Sequence, residues 1–399
     1  MIVYCRSIFD KLENRLAERR KYIQVLLGPR QVGKTTGVRQ CISRLRSPTI
    51  FEAADEPELH DRFWLEQVWN KARAVAEKNR EAVLVLDEIQ KVENWSETVK
   101  RFWDEDAAKG LALKVVLLGS STSLVRKGLA DSLAGRFEII PVPHWAYTEM
   151  RDAFNLTLDD YIFFGGYPGS LYLKAEFERW NSYVLNALIE TTVSKDLLQA
   201  NRIDKPILLK RLFQFACRYS SEILSFNKML GQLHDAGNTT TLAQYLEYLS
   251  RAGLVTGLQK YSGNFVRQRS SSPKFLVFNT ALISAIHGRP PAAVRDDPAA
   301  WGRRVESAVG AHLLNLSLGN AFELMYWREG NHEVDYVMVR GDDVVAIEVK
   351  SGGQERRHSG LRAFDLKFKP MRSIVVGPGG TMSLEECLLA KADDFWRQT

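Results

Sequence analysis

The sequence predicts an α/β protein: a parallel sheet with helices on both faces, then a mostly helical region, then a second α/β unit. Three observations predict it. Strand-like apolar runs alternate with helically spaced stretches up to about residue 148, the order that yields a parallel sheet. Gly28-Pro29-Arg30-Gln31-Val32-Gly33-Lys34-Thr35 fits Gly-x-x-x-x-Gly-Lys-Ser/Thr and falls between one such run and one such helix. Near the C-terminus, Glu333 to Val339 and Val344 to Lys350 flank the turn Arg340-Gly341-Asp342-Asp343 and read as two strands.

The first strand is Tyr22 to Leu27, and Thr36 to Leu45 has helical spacing. The loop between them is built for phosphate. Gly28 and Gly33 allow a tight turn that aims backbone N–H groups at an anion, and the helix start adds unpaired N–H groups with a partial positive charge. Gly28, Pro29, Arg30, Gln31, Val32, Gly33, Lys34, Thr35 and Thr36 are the expected nucleotide contacts. Lys34 is expected on the β- and γ-phosphates and Thr35 on Mg²⁺.

The next marker is Ala82 to Leu86, an apolar strand ending in Asp87-Glu88 roughly fifty residues after Lys34. In such sites the first acid helps hold Mg²⁺ and the second polarises the attacking water, roles expected of Asp87 and Glu88. Lys114 to Leu118 ends in Gly119-Ser120-Ser121. Ser120 or Ser121 is placed to sense the terminal phosphate, or to cap the following helix. Leu133-Ala134-Gly135-Arg136 then precedes a short strand, Glu138 to Val142.

Composition bounds the class. The chain has 399 residues, 45% hydrophobic and 26% charged, as in an ordinary globular protein of two or three domains. No apolar run is long enough for a membrane span, and the N-terminus lacks the pattern of a secretory signal. The four cysteines, Cys5, Cys41, Cys217 and Cys387, are scattered without Cys-x-x-Cys spacing. They are expected to be reduced thiols in a cytoplasmic protein. Net charge is +6, which permits nucleic-acid contact. From Arg251 to Arg295 there are seven basic residues and no acidic one.

After residue 148 the pattern turns helical, broken at Phe163-Phe164-Gly165-Gly166-Tyr167-Pro168-Gly169. Helices are expected over Tyr183 to Leu198, Leu208 to Tyr219 and Leu242 to Ala252, with Ser225 and Asn238 to Thr241 as caps. Apolar runs at Leu254 to Leu258 and Phe275 to Phe278 then read as a hairpin. Helix, short helix, helix and hairpin read as a winged helix, whose third helix would enter the major groove. The basic wing, 260–274, with Arg267, Arg269 and Lys274, would meet DNA phosphates. Packing or oligomerisation is the other use of such a module.

In the last strands, period two puts Glu348 and Lys350 on one face, and hairpin pairing can bring Asp335 beside them. A helix over Arg304 to Leu314 could present Glu306 to the same place. Asp…Glu-x-Lys after a helical Glu resembles the PD-(D/E)xK nuclease core. That resemblance implies Asp335 and Glu348 as metal ligands, assisted by Glu306, with Lys350 positioning water. A nuclease-like fold used only for binding remains the alternative.

The order of phosphate loop, acidic strand end, polar strand end and arginine before the last strand resembles an AAA+ ATPase. More narrowly, the chain resembles prokaryotic AAA+ ATPases fused to a C-terminal domain of unknown function. The marks are Gly28 to Thr35, Leu86-Asp87-Glu88-Ile89-Gln90, Leu133-Ala134-Gly135-Arg136, Gly165-Gly166-Tyr167-Pro168, and Glu333-Val334-Asp335 with Glu348-Val349-Lys350. Pro141-Val142-Pro143-His144-Trp145 departs from the pattern of relatives. The resemblance implies a P-loop AAA+ core at 1–148, a helical lid at 149–200, a winged helix at 201–290 and a nuclease-like domain at 291–399. It implies ATP, ADP and Mg²⁺ as ligands. Arg136 matches the arginine finger that acts on a neighbouring subunit and so implies a homo-oligomer; a structural salt bridge is its other reading. The expected function is ATP hydrolysis coupled to a nuclease-like, DNA-binding unit. The alternative is an ATP-driven DNA-binding or protein-remodelling regulator whose nuclease fold is inactive.

Overall fold

The computed structural model describes residues 4–54, 62–119, 122–201, 203–233, 237–263, 271–352 and 359–397. The chain divides into two compact units, Met1–Val142 and Pro143–Thr399.

The first unit is a parallel sheet of five strands: β1 (Ile23–Leu27), β2 (Thr49–Ala53), β3 (Ala82–Asp87), β4 (Leu113–Gly119) and β5 (Phe137–Pro141). Their order is β2-β3-β4-β1-β5. The apolar runs are continuous because both faces are covered. Ile23, Val25 and Leu27 of β1 pack with Leu65, Trp69 and Ala72 of the helix Arg62–Asn79. Leu26, one step out of phase, packs with Phe9 and Leu12 of the helix Ile8–Ala17 and with Val38 of the helix Lys34–Ile42. Gly37 is required here, since a Cβ would lie 1.9 Å from the Phe9 ring.

In the second unit the three expected helices are Leu197–Ala200 with the wide turns before it, Pro206–Arg218 and Thr239–Arg251. Ser225 and Asn238 cap their helices through side-chain bonds to the N–H groups of Lys228 and Thr241. The hairpin is β6 (Val255–Leu258) with β7 (Lys274–Val277). Four further strands, β8 (Glu323–Glu329), β9 (His332–Arg340), β10 (Asp343–Val349) and β11 (Arg372–Val376), form a mixed sheet in the order β11-β10-β9-β8. The long helix Pro298–Ser317 packs on one face through Val309 and Leu313. Leu361 and Phe364 of the helix Ser359–Phe368 pack on the other.

Strand β7 serves two cores. Phe275 and Val277 face the helical core, whereas Leu276 and Phe278 face the mixed sheet. Alternation therefore aims Lys274 at the mixed sheet as well. No described helix is long and apolar enough to cross a membrane.

Candidate functional site

The phosphate loop leaves β1 at the C-terminal edge of the first sheet. Gly28 has no room for a side chain, because a Cβ would lie 2.1 Å from the Val142 carbonyl oxygen. Gly33 has φ of 82° and caps the helix Lys34–Ile42, a conformation that costs glycine little. The Lys34 ammonium is buried and donates to the carbonyls of Gly28 and Pro29, each at 2.7 Å.

The Thr35 hydroxyl donates to Asp87 Oδ2 at 2.7 Å. The backbone N–H of Glu88 donates to Asp87 Oδ1 at 2.9 Å. Burial raises the Asp87 pKa, opposed by the Thr35 bond and helped by the Glu88 charge. Glu88 sits at φ 51°, and its carboxylate accepts from the Gln90 amide. Gln90 Oε1 is buried without a hydrogen-bond partner among the described residues. Sequence reasoning assigned Gln90 no role; its position two residues after Glu88 was the available signal. Ser120 and Ser121 lie outside the described residues.

These residues suit a magnesium nucleotide. A hydroxyl and a carboxylate already meet, which is the oxygen donor set Mg²⁺ takes, and the loop ends in an ammonium and a helix N-terminus.

Arg136 makes a paired contact with Asp104, Nε to Oδ1 at 2.8 Å and Nη2 to Oδ2 at 2.9 Å. That bond leads the causes holding the Asp104 carboxyl below its usual range. The Arg136 carbonyl accepts from Ile23 N–H at the start of β1. Arg136 is thus at the opposite end of the sheet from Gly28, roughly 16 Å away along a five-residue strand. It cannot reach its own phosphate loop.

In the second unit, Asp335, Glu306, Glu333 and Lys274 converge. The Lys274 side chain has 0% exposure and lies 2.8 Å from Glu306 Oε1, 3.2 Å from Glu333 Oε1 and 3.3 Å from Asp335 Oδ1. It also donates to the Asp335 carbonyl at 3.3 Å. The Glu306 carboxylate is thus ion-paired with a buried ammonium. Burial alone would lower the lysine pKa, but the charges of Glu306 and Asp335, with Tyr336 and Glu333, outweigh it and hold the ammonium well above its ordinary value. Burial, then the Asp335 charge, raises Glu306, and Lys274 opposes this. Glu348 is raised for the same first two reasons, and Lys350, which pairs with it, pulls it back. Asp335 Oδ2 accepts the Val349 N–H at 2.8 Å.

Two expectations are corrected here. Lys274 is no phosphate contact on a basic wing: the register of β7 turns it inward, and it has no solvent exposure. Arg267 and Arg269 lie outside the described residues. The metal set of Glu306, Asp335 and Glu348 does not suit a divalent ion either. No group of three or more His, Cys, Asp or Glu among the described residues is disposed to hold one, and a protonated amine stands between Glu306 and Asp335. Lys350 lines a separate cleft of about 550 Å³ with Ser351, Gly377 and Glu385.

A larger concave face of about 710 Å³ is lined by Arg211, Arg218, His287 and Arg303, with Glu222 as its acidic residue. Burial, then the charges of Arg304, Arg218, Arg303 and Arg289, pushes the His287 pKa down to about 4.

Residues 20–151 match a family model described as an AAA domain. Residues 155–293 and 301–388 match two models described as domains of unknown function. An uncharacterized protein of Mycobacterium tuberculosis is 22% identical over 371 residues, covering 92% of this chain and 78% of that protein. An uncharacterized protein of Haemophilus influenzae is 20% identical over 378 residues, covering 89% of each. Among solved structures, a Walker-type ATPase of Pyrococcus abyssi aligns with a TM-score of 0.48 and 17% identity, covering 72% of this chain and 96% of that one. Phosphate loop, acidic strand end, strand order and family match agree: the first unit is a P-loop AAA-type ATPase domain.

Proposed function

We propose that this chain is a Mg²⁺-dependent ATP switch whose C-terminal unit engages DNA without cutting it. The observation that carries the first half is the Thr35–Asp87 hydrogen bond, which joins the phosphate loop to the acidic strand end. Lys34 exchanges its two carbonyl partners for the β- and γ-phosphates. Bound Mg²⁺ would neutralise phosphate charge, and Thr35 and Asp87 are the residues that would hold it. Glu88, fixed by Gln90, polarises the attacking water. Ser120 or Ser121 senses the terminal phosphate. Arg136, too far from its own loop, serves a neighbouring copy after leaving Asp104, and the protein works as a homo-oligomer. The four cysteines, all free, fit a reducing cytoplasmic setting.

The DNA contact is read from the concave face of Arg211, Arg218 and Arg303. Among the described residues, neither Arg218 nor Arg303 has a hydrogen-bonded or ion-paired partner. A winged-helix role for 201–290 is compatible with the helices and hairpin seen there. Nuclease chemistry by Asp335, Glu348, Lys350 and Glu306 is set aside because those residues do not suit a metal.

The test is ATP hydrolysis and nucleotide binding in wild type, Lys34→Ala, Glu88→Gln and Arg136→Ala. Lys34→Ala is expected to lose binding. Glu88→Gln and Arg136→Ala are expected to bind ATP and lose hydrolysis by at least about 100-fold, the scale of a positioned base or a charge-stabilising donor. Full hydrolysis by Lys34→Ala would sink the reading, and loss of binding in Arg136→Ala would remove the finger.

A further inference from the structure

Four arginines meet at one small cavity of the second unit. Arg218 ends the helix Pro206–Arg218, Arg289 follows the helix Ala281–His287, and Arg303 and Arg304 belong to the helix Pro298–Ser317. With His287 and Ser307 they help line a cavity of about 50 Å³. Arg218, His287 and Arg303 also line the larger concave face, so the cavity adjoins the surface read above as the DNA contact.

Arg304 sets the chemistry of this cavity. It has 4% exposure, and its guanidinium donates to the Ser284 hydroxyl and lies 5.5 Å from the centre of the Phe163 ring. Among the described residues no carboxylate pairs with it. Asp297 is taken by Arg289, Nη1 to Oδ2 at 3.0 Å, and Arg218 and Arg303 have no acidic partner among the described residues either. Burial, then the charge of Arg289, lowers the Arg304 pKa to about 10, so the group remains a cation at neutral pH. A buried cation without a counter-charge is costly. A guanidinium also carries five N–H donors in a fork that matches phosphate oxygens.

Size narrows the anion. The cavity exceeds the roughly 10–15 Å³ that one water needs and falls far below the roughly 300 Å³ at which pockets for whole small molecules begin, so a tetrahedral oxyanion fits and a nucleobase does not. A phosphate within a strand is esterified on both sides and stays in line with its neighbours. A terminal phosphate is tethered on one side only and carries about −1.5 to −2 charge at pH 7, so it alone can leave the strand's path and reach a guanidinium as deep as Arg304.

We propose that Arg218, Arg289, Arg303 and Arg304 form a pocket for the terminal phosphate of a DNA strand, an assignment that rests on the DNA contact of the adjoining face and makes the C-terminal unit a reader of strand ends.

The experiment measures, by fluorescence anisotropy at one fixed salt concentration, the binding of the nucleotide-free full chain to three blunt duplexes of one sequence: one with hydroxyl ends, one with 5′-phosphates and one with 3′-phosphates. Wild type is expected to bind one of the phosphorylated duplexes at least about tenfold tighter than the hydroxyl-ended one, the scale of one charge-assisted hydrogen bond. Arg304→Met is expected to bind all three alike. Equal binding of the three by wild type overturns the pocket and leaves the DNA face standing. A folded Arg304→Met that keeps the preference also overturns it. Binding of none of the three sinks the DNA reading and the pocket with it. Should Arg304→Met fail to fold, Arg289→Gln decides: a lost preference supports the pocket and a retained one overturns it.

Discussion

Gly28 shows how tightly one residue can be specified. Its missing Cβ is what lets the phosphate loop pass the backbone of Val142, where a methyl group would lie 2.1 Å from a carbonyl oxygen. Backbone cannot swing aside as a side chain can. Gly28→Ala is therefore expected to cost about 1–3 kcal/mol, the range of overpacked sites, and to lose ATP binding. Among the described residues no atom lies within 4 Å of the Cβ position of Gly352, so Gly352→Ala is the control and is expected to melt like wild type. Urea melts and a nucleotide titration on both variants check this. The phosphate loop was legible because its parts are eight consecutive residues, Gly28 to Thr35, and a local pattern is all the chemistry needs. Lys274 was misread because its partners are 32, 59 and 61 residues away, at Glu306, Glu333 and Asp335. It also sits in a stretch with no acidic residue, where an exposed reading came first. The usable signal was its alternation with Leu276 and Phe278.

At the scale of the element, the helix Pro298–Ser317 ties the second unit together. Asp297 caps it by accepting from the Ala300 N–H at 3.0 Å. One face brings Val309 and Leu313 to the mixed sheet, while Glu306 meets Lys274. Its His312 is buried and its Nε2–H donates to the Ala390 carbonyl, 3.1 Å away. Burial pushes the His312 pKa down to about 4, and the Ala390 bond only partly opposes this. The folded chain thus holds a neutral imidazole, whereas the unfolded chain protonates near 6.5. The stability of the neutral form is present above about pH 6.5 and is lost as pH falls from there toward 4, by up to about 3 kcal/mol. The difference in unfolding free energy between wild type and His312→Gln should shrink across that window, read from urea melts at several pH values. The strands of this unit were unevenly visible. Strands β9 and β10 alternate cleanly around a Gly-Asp-Asp turn. Strand β8, Glu323–Glu329, has polar ends and a bulge between Met325 and Trp327, and β11, Arg372–Val376, is a short edge strand. Strand β2, Thr49–Ala53, is likewise a half-exposed edge. None of the three carries the local period that reveals a strand.

At the scale of the whole molecule, charge distribution says more than net charge. The excess of six positive charges is modest, yet Arg211, Arg218 and Arg303 gather on one concave face that sequence order does not foretell. They come from two helices, Pro206–Arg218 and Pro298–Ser317, far apart in the chain. Duplex DNA binding by the proposed route should be salt-dependent. Arg218→Ala with Arg303→Ala should weaken it at every sequence and flatten the plot of log affinity against log salt, by roughly one unit of slope for each phosphate no longer neutralised. Fluorescence anisotropy across a salt series measures both quantities. Unchanged affinity and slope would move the DNA-binding face elsewhere.

The tethered ammonium of Lys274 has a consequence for how the two units answer to scarcity. An ion held by coordination can be stripped by a chelator or by starvation, but a lysine is covalently part of the strand that needs it. On the proposed magnesium-dependent mechanism, ATP hydrolysis stops when magnesium runs short. The carboxylates of Glu306, Glu333 and Asp335, with their countercharge written into the polypeptide, keep it under the same shortage.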